Sequence, residues 1–253
     1  MQLSEQDNGA YYGSHLHTST WDLFRPNHEN WDDRFLFQDV IRQYGEPALD
    51  VACATGRLIL TYMKEGIDVD GVDNSAEMLA LCRAKAQMAG LQPMLYEQPM
   101  EQLDLPRTYK TMVVSSSSFQ LVTDLDARRE AMHRFRRHLD RGGALVMPFM
   151  TLWSEGDPVE TDWKLFGEAT RDEDGAVVRR WSRDRYDVEA QLESGEYRYE
   201  VTLHGETIAE EHQKFSPAVR SYTQEQAIDV YAAAGFADIR VWKGHGSIKG
   251  QIG

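Results

Sequence analysis

The sequence predicts an α/β fold: a doubly wound, mostly parallel, Rossmann-like sheet with an antiparallel β insertion over its cleft. Short apolar runs alternate with helical patterns between residues 48 and 150, which is typical of parallel strands connected by helices. Apolar residues then recur at every second position from about 160 to 222, which is typical of antiparallel strands. A helix that begins with the capping box of Thr223 and Gln226, and a strand at 237–242, indicate that the first sheet resumes there.

The parallel part contains four predicted strands and three predicted helices. Its apolar runs lie at 48–52, 69–72, 111–114 and 144–149, and its helical patterns lie at 57–64, 76–89 and 127–139. Gly66, Gly90 and Gly142 follow the helical patterns and are expected to end the helices. An earlier helical pattern ends at Gly45, so a helix precedes the first strand.

The antiparallel insertion is predicted from alternation and from turn residues. Tyr197, Tyr199 and Val201 share one face of a strand, and we expect that face to pack on a core or to line a pocket. The predicted turns between strands are Asp174-Gly175, Ser194-Gly195 and His204-Gly205. The arginine-rich run 177–186 is interpreted as a strand with solvated arginines.

Composition indicates a globular protein that does not bind nucleic acid. Apolar residues make up 42% of the chain, and 27 basic against 41 acidic residues give a net charge of −14. Because nucleic-acid binding depends on clustered basic residues, this charge argues against such a partner. The two cysteines and the pair His15 and His17 show no metal-ligand spacing. No signal peptide or membrane span is visible, so we expect a cytoplasmic protein, either a monomer or a homodimer.

The first candidate ligand site is the segment ALDVACATGRL at 48–58. In a doubly wound sheet, ligands bind beyond the carboxyl ends of the strands, usually against the turn after the first strand. The small side chains at 52–56 allow a ligand to approach the backbone. A dinucleotide fingerprint needs glycines where Ala52 and Ala54 stand, and only Gly56 remains. The pattern therefore favours a ligand without a pyrophosphate.

A second acidic position follows the next predicted strand. Asp73 lies in GVDNSAEML at the strand tip, where a carboxylate can accept both hydroxyls of a ribose. Ser75 is placed to cap the next helix, and Met78 lies one turn further, where it can cover an apolar ring. With Asp50 these positions predict a site for a nucleoside without phosphates. For each residue alone, a tight turn, a helix cap or core packing is the alternative interpretation.

These motifs resemble motifs I and II of class I S-adenosylmethionine-dependent methyltransferases. The resemblance rests on LDVACATGRL and GVDNSAEML, and it continues through QPMEQLDLP, HLDRGGALVM and RSYTQEQAIDVYAAAGF, from roughly residue 20 to 242. The chain looks most like small bacterial enzymes that methylate sugar amines, glycine-like amines and other metabolites. The resemblance implies S-adenosylmethionine as the cofactor and a small-molecule acceptor.

The resemblance also implies which residues bind the cofactor. They are Asp50, Ala52, Cys53, Ala54, Gly56, Arg57, Asp73, Asn74, Met78, Pro99, Met100 and Ser115. The loop that starts at Asp50 would face the methionine moiety, Asp73 would bind the ribose hydroxyls, and Met78 would pack near adenine. The backbone of Met100 would meet the adenine edge. No catalytic residue and no metal ligand is identified.

Three features depart from the family pattern. Alanines replace two glycines of motif I, as described above. Pro99 replaces an aspartate that usually bonds the adenine amino group, so one hydrogen bond is lost. Lys110 stands where an acid is usual, at the start of a strand, and this change is interpreted as structural. The first two changes bear on the affinity for the cofactor more than on which cofactor is bound. The resemblance also implies a final antiparallel strand, but little chain follows residue 242, so that strand is very short or the sheet ends differently.

The predicted domains are a helical lid at 1–45, an S-adenosylmethionine-binding domain at 46–150 and 223–253, and a substrate cover at 151–222. The candidate acceptor contacts are Tyr12 and Trp21 in the lid, and Phe119 and Gln120 after the fourth strand. Transfer from a sulfonium depends mainly on positioning, and the sequence shows no unambiguous base. Methylation of nitrogen, or else of oxygen, by in-line displacement is therefore favoured.

Two other functional classes stay open. A non-catalytic protein could keep the same pocket as a sensor of S-adenosylmethionine or another nucleoside. A nicotinamide-dependent oxidoreductase could use a similar sheet, but the alanines at the pyrophosphate positions argue against it. A tRNA methyltransferase is disfavoured by the negative charge.

Overall fold

The computed structural model describes residues 5–7, 15–25, 31–242 and 247–251, and the chain divides into two compact units. The parallel unit comprises residues 27–151 and 222–253, and the antiparallel unit comprises residues 1–26 and 152–221. The helices are α1 (His15–Ser19), α2 (Asp33–Tyr44), α3 (Arg57–Lys64), α4 (Ala76–Met88), α5 (Leu125–His138) and α6 (Gln224–Ala233). The strands are β1 (Glu5–Asp7), β2 (Ala48–Val51), β3 (Val69–Asp73), β4 (Leu95–Glu97), β5 (Tyr109–Val114), β6 (Leu139–Pro148), β7 (Lys164–Thr170), β8 (Val177–Asp187), β9 (Leu192–Leu203), β10 (Glu206–Arg220), β11 (Ala237–Trp242) and β12 (Ser247–Gln251).

The parallel unit contains a seven-stranded sheet in the order β11-β12-β6-β5-β2-β3-β4. Strands β6, β5, β2, β3 and β4 are mutually parallel, whereas β12 is antiparallel to both of its neighbours. Every residue of β2 and β3 is buried, as expected for central strands covered by helices on both faces. The predicted Rossmann-like fold is confirmed.

The two faces of this sheet have separate hydrophobic cores. Because side chains alternate along a strand, Val113 of β5 packs with α2, α3 and α4, while Met112 and Val114 pack with α5 and α6. Among the largest fully buried side chains, Phe37 and Tyr231 come from helices that cover the two faces.

Helix α2 belongs to the parallel unit and not to a separate lid. Its buried residues Phe37, Val40 and Ile41 lie in the same core as Ala48 and Val146 of the sheet. The boundary between the units therefore lies at residues 26 and 27, whereas the sequence-based boundary was placed at residue 45.

The antiparallel unit contains a five-stranded sheet in the order β1-β10-β9-β8-β7. Its core combines Leu16 of α1 with Val178, Tyr199 and Val201 of the sheet. The predicted buried face of Tyr199 and Val201 is confirmed, and His204 and Gly205 have the positive φ values expected for a two-residue hairpin turn.

The structure differs from the sequence-based elements in several places, and strand β4 is one that the sequence did not predict. Ser194 and Gly195 lie inside β9, where Gly195 pairs with Asp184, and the turn instead occupies residues 188–191. Gly142 lies inside β6 rather than after a helix. The strand whose presence the sequence left open is β12, with five residues. In the described part of the chain, no helix is long and apolar enough to cross a membrane.

Candidate functional site

Four chain segments meet at the carboxyl edge of the parallel sheet. They are the turn after β2, the end of β3, the loop after β4 and the segment after β5. Strand β2 pairs with β3 on one side and with β5 on the other, so the strand order reverses beside β2. This is the point at which doubly wound sheets bind ligands. Most of the predicted cofactor residues are therefore brought together.

The turn after β2 has a left-handed backbone at three alternate residues. The φ angles are +57° at Ala52, +48° at Ala54 and +91° at Gly56. Glycine adopts this conformation without steric cost, whereas alanine does not, which explains why glycines are expected at these positions. A Cβ atom at Gly56 would lie 2.6 Å from Sγ of Cys82, so the third position also requires glycine for space.

Asp73 fastens this turn to the end of β3. Its Oδ2 accepts a hydrogen bond of 2.8 Å from the amide of Ala54, and its Oδ1 accepts one of 2.9 Å from the amide of Ser75. Burial raises the pKa of the Asp73 carboxyl, and the amide hydrogen bonds oppose that rise. The carboxylate is thus held in a fixed orientation at the edge of the sheet. Each oxygen keeps a second lone pair that can accept a ligand hydroxyl.

Asp50 is a buried carboxyl near the end of β2. Its Oδ2 accepts a hydrogen bond of 3.2 Å from the amide of Ile59, and its Oδ1 has no hydrogen-bond partner among the residues that the structure describes. Burial raises the pKa of Asp50 to about 7, against the opposing effect of the Arg57 charge. A cationic ligand group at Oδ1 would satisfy this oxygen and stabilise the ionised form.

Arg57 starts α3 and holds the beginning of α2. Its guanidinium donates two hydrogen bonds of 2.7 Å to the two carboxylate oxygens of Asp33, and it lies 5.3 Å from the ring centre of Trp31. The resemblance implies that Arg57 is a cofactor-binding residue, and in the structure its guanidinium is engaged by Asp33. Neither Asp33 nor Trp31 was singled out from sequence, because their spacing from Arg57 along the chain carries no motif.

The remaining residues of the turn and of the β3 segment are mostly buried. The Cys53 thiol is buried, which raises its pKa and keeps it protonated. Ser75 caps α4 by accepting a hydrogen bond of 3.2 Å from the amide of Met78, and Met78 itself is fully buried. Asn74 is exposed beside Asp73.

The loop after β4 forms the third part of the site. Pro99 precedes a short 3₁₀ turn at 100–102, where Met100 packs against the core. The side chain of Gln98 fixes the loop, since it accepts a 2.7 Å hydrogen bond from the amide of Asp104 and donates one of 3.2 Å to its carbonyl. Pro99 has no N–H group. The first backbone N–H donor of this turn is therefore that of Met100.

The segment after β5 contains three of the predicted site residues, Ser115, Phe119 and Gln120. Ser115 follows the strand directly and is buried. Phe119 is fully buried against Phe135 and Tyr222, so it is a core residue. Gln120 is also fully buried, and its amide exchanges hydrogen bonds of 2.7 and 3.1 Å with the backbone of Met150. The structure therefore corrects the expectation that these two side chains contact an acceptor.

Of the two acceptor contacts predicted in the N-terminal segment, Tyr12 and Trp21, the structure describes Trp21. Tyr12 lies outside the described residues. Trp21 lies in the antiparallel unit, where its ring contacts the ring of His17 at a centroid distance of 5.4 Å and Arg25 lies 3.4 Å from its ring centre.

The antiparallel unit holds a second group of buried polar residues. Arg180 of β8 is only 4% exposed, so the interpretation of its run as solvated arginines is wrong at this position. It shares a face with the buried Val178, two residues earlier, and this alternation is the signal that could have revealed its burial. His17 is also buried, with Nδ1 2.7 Å from the Tyr199 hydroxyl, and burial together with the Arg180 charge lowers the pKa of His17 to about 3.

Part of the parallel unit is similar in sequence to known proteins. Residues 48–143 match a family described as a methyltransferase domain. A protein of Geobacillus sp. (strain WCH70), whose name presents it as a candidate methyltransferase, is 30% identical over 113 residues, which are 43% of this chain and 46% of that protein. The chain thus spans about half the length of this curated relative. The resemblance seen in motifs I and II is confirmed for this part of the chain.

Solved structures share the fold over nearly the whole chain. The sugar N-methyltransferase KedS8 of Streptoalloteichus sp ATCC 53650 has a TM-score of 0.74 at 21% identity, and the match covers 100% of this chain and 99% of KedS8. CalS10 of Micromonospora echinaspora, an amino pentose methyltransferase solved with bound S-adenosylmethionine, has a TM-score of 0.70 at 21% identity, with 98% and 100% covered. At this identity, both matches concern the fold.

Proposed function

We propose that this chain, whose residues 48–143 match a methyltransferase domain, transfers a methyl group from S-adenosylmethionine to a small molecule. An amine nitrogen is the acceptor atom that we favour. The proposal rests on two buried carboxyls at the point where the strand order reverses. Asp73 is hydrogen-bonded to the turn at Ala54, and Asp50 has an oxygen that no described residue satisfies.

The residues of the site fit the proposed cofactor. Asp73 can accept the two ribose hydroxyls, and Asp50 can accept the methionine ammonium at Oδ1, which has no other partner in the described structure. Met78 and the turn at 100–102 flank the place expected for adenine. When bound, the cofactor supplies a methyl group on a positively charged sulfur, and an acceptor nitrogen that takes this methyl group loses a proton.

The chain's own contribution is binding and orientation. A fixed turn and a fixed carboxylate hold the donor in one position, so that the acceptor can approach in line with the bond that breaks. The preference for nitrogen is supported by KedS8, a sugar N-methyltransferase, and by CalS10, an amino pentose methyltransferase. The net charge of −14 supports a small-molecule acceptor over a nucleic acid.

The first test is calorimetric titration of the whole chain with S-adenosylhomocysteine. We expect binding by the wild type and a loss of roughly 100-fold in Asp73→Ala, because two hydrogen bonds to a charged group contribute about 1.5 kcal/mol each. Asp70→Asn is the matched control: Asp70 lies on the same strand but binds the Tyr109 hydroxyl at 2.9 Å, away from the carboxyl edge. Absence of wild-type binding would overturn the proposal.

The second test identifies the acceptor atom. The chain is incubated with S-adenosylmethionine carrying a labelled methyl group and with matched pairs of amino sugars and the corresponding hydroxyl sugars. We expect label only in the products that carry an amine. Transfer to the hydroxyl sugars alone would contradict the nitrogen preference, and transfer to neither, with donor binding intact, would favour the non-catalytic alternative.

A further inference from the structure

The antiparallel unit has a cavity of about 270 Å³ on one face of its sheet. The residues that line it come from four neighbouring segments, 160–161, 183–185, 194–196 and 214–216, all within this unit. Side chains alternate along a strand, so residues 184, 195 and 215 point to the face that packs on α1. The residues on either side of them point to the opposite face, and their side chains supply most of the lining.

The first row of side chains in the cavity is Arg183, Glu196 and Lys214. Glu196 is the cross-strand partner of both Arg183 and Lys214, so the three side chains lie side by side. One carboxylate oxygen of Glu196 accepts a 2.6 Å hydrogen bond from Arg183, and the other lies 2.8 Å from Nε2 of His212. Both oxygens are thus engaged, which fixes the carboxylate, while the guanidinium keeps further N–H donors for a ligand.

The second row of side chains is Glu160, Arg185, Ser194 and Ser216. Arg185 is the cross-strand partner of Ser194, and it forms an isolated antiparallel bridge with Glu160. The hydroxyl oxygens of Ser194 and Ser216 lie 3.3 Å apart. Glu160 and Arg185 are both exposed, and in the described part of the chain they form no ion pair with each other. This row therefore offers a carboxylate, a guanidinium and two hydroxyls next to one another.

The floor of the cavity is backbone that the sheet already uses. The amide of Thr161 donates a hydrogen bond of 2.9 Å to the carbonyl of Asp184. Gly195 pairs with Asp184 on one side and with Phe215 on the other. The ring of Phe215 contacts His17 of α1 on the opposite face, and the Asp184 carboxylate lies on that face as well. A ligand can therefore bind to the side chains of the two rows, but it cannot add a strand to the sheet here.

The lining suits a ligand that carries several hydroxyl groups and no net charge. Each row contains a carboxylate as well as a cation, so an ionised ligand of either sign would meet a like charge. A hydroxyl group both donates and accepts hydrogen bonds, so it can bind to a guanidinium, a carboxylate or a serine hydroxyl. The volume equals the share of about nine water molecules at ~30 Å³ each, which is enough for one sugar ring.

We propose that this cavity binds an uncharged sugar unit through its hydroxyl groups, with Glu160, Arg185, Ser194 and Ser216 as the main contacts. The first row closes the cavity on the other side. Because every lining residue belongs to the antiparallel unit, the proposal does not depend on the proposed function, and the sugar is not assigned as the methyl acceptor. Hydrogen bonds to charged groups are the stronger ones, so Glu160 and Arg185 contribute most of the affinity.

The test is saturation-transfer difference NMR on the whole chain. The methyl glycosides of glucose, galactose and rhamnose are titrated one at a time. We expect at least one of them to give a saturable signal with a millimolar Kd. The same glycoside should bind about tenfold more weakly to Arg185→Met, because a hydrogen bond to a charged group is lost. Glu160→Gln keeps the shape and one acceptor oxygen, so a smaller increase in Kd is expected.

The matched control is Arg171→Met. Arg171 lies in the turn between β7 and β8, where it donates a 2.9 Å hydrogen bond to Asp174, and it does not line the cavity. Its replacement should leave the Kd for the glycoside unchanged. Arg185 is exposed, so Arg185→Met should keep the melting temperature of the wild type, which shows that a weaker signal does not come from unfolding.

Two further probes test the charge of the ligand. Glucuronate and glucosamine carry a negative and a positive charge on the same ring, and both should bind more weakly than the neutral glycosides. Tighter binding of either ion than of every neutral glycoside would overturn the proposal. A saturable signal that is equal in the wild type and Arg185→Met would place the sugar elsewhere on the chain and would also overturn it, as would the absence of a saturable signal from all three glycosides.

Discussion

Ala52 and Ala54 carry a backbone conformation that costs alanine about 1 kcal/mol or more and costs glycine little. Replacing either residue by glycine removes this strain but makes the unfolded chain more flexible. We therefore expect Ala52→Gly and Ala54→Gly to change the free energy of unfolding by between zero and about +1 kcal/mol, measured by denaturant titration.

Ala80 supplies the comparison for these variants. It is exposed in the middle of α4, where glycine destabilises a helix by about 0.5–1 kcal/mol. A loss of stability in Ala52→Gly as large as that in Ala80→Gly would show that the positive φ angle stores no strain.

Asp50 makes the stability depend on pH in a direction opposite to that of most carboxyls. Its pKa is about 7 in the folded chain and near 4 when unfolded. Between these values the folded state holds a proton that the unfolded state has lost, so the free energy of unfolding falls as pH rises from 4 to 7, by up to about 4 kcal/mol. Denaturant titrations across this range should show a shallower fall in Asp50→Asn than in the wild type.

The same carboxyl should control donor affinity. The methionine ammonium binds best to an ionised Asp50, so we expect the Kd for S-adenosylhomocysteine to decrease as pH rises through about 7. Calorimetry between pH 6 and 8 checks this, with Asp50→Asn expected to bind more weakly and with a smaller pH dependence. A wild-type Kd that does not change across this interval would contradict contact between Asp50 and the ammonium.

Individual residues could be predicted from sequence where a strand end fixed their position. Asp73 is one, because its place at the tip of an apolar run sets its place at the sheet edge. Gln120 could not be predicted, since its partner is the backbone of Met150, which only the folded chain brings near. Arg180 was misjudged because the charge of its segment was weighed rather than the face on which it lies.

At the scale of elements, the pair of Asp33 and Arg57 connects α2 with α3. Both side chains are largely buried, at 24% and 12% exposure, and the contact has two hydrogen bonds. A double-mutant cycle on Asp33→Asn and Arg57→Met should give a coupling energy of about 1–2 kcal/mol, because charge-assisted bidentate pairs exceed ordinary surface pairs.

Asp39 and Arg42 in the same helix serve as the reference pair. Their side chains are 73% and 64% exposed, so we expect a coupling energy below about 0.5 kcal/mol. Similar coupling energies for the two pairs would mean that the contact between α2 and α3 adds nothing to stability.

Elements with a buried apolar run were predictable, and short exposed ones were not. The central strands β2, β3 and β5 coincide with the apolar runs of the sequence. Strand β4 has three residues, none of them fully buried, so no pattern reveals it. The turn before β9 was misplaced because Ser194-Gly195 has turn chemistry, yet Gly195 is needed in the strand, where a Cβ atom would lie 3.2 Å from the Asp184 carboxylate.

For the whole molecule, S-adenosylhomocysteine should stabilise the chain and protect the parallel unit. Saturating S-adenosylhomocysteine should raise the melting temperature, by an amount that corresponds to about 2.7 kcal/mol at 100 times Kd. Hydrogen exchange followed by mass spectrometry should show protection concentrated at residues 51–56 and 73–78 of the parallel unit. Protection centred on β8 and β9 would place the ligand in the wrong unit and contradict the assignment of the site.

The position of β12 has a consequence for how the protein is made. This strand is inserted between β6 and β11, although roughly a hundred residues separate it from β6 along the chain. At a synthesis rate of about 5–20 residues per second, β6 therefore stays unpaired with β12 for several seconds during synthesis. An unpaired strand edge invites pairing with other chains. Nascent chains should therefore depend on chaperones until residue 251 has emerged, and codon choice between β6 and β12 should affect the yield of folded protein.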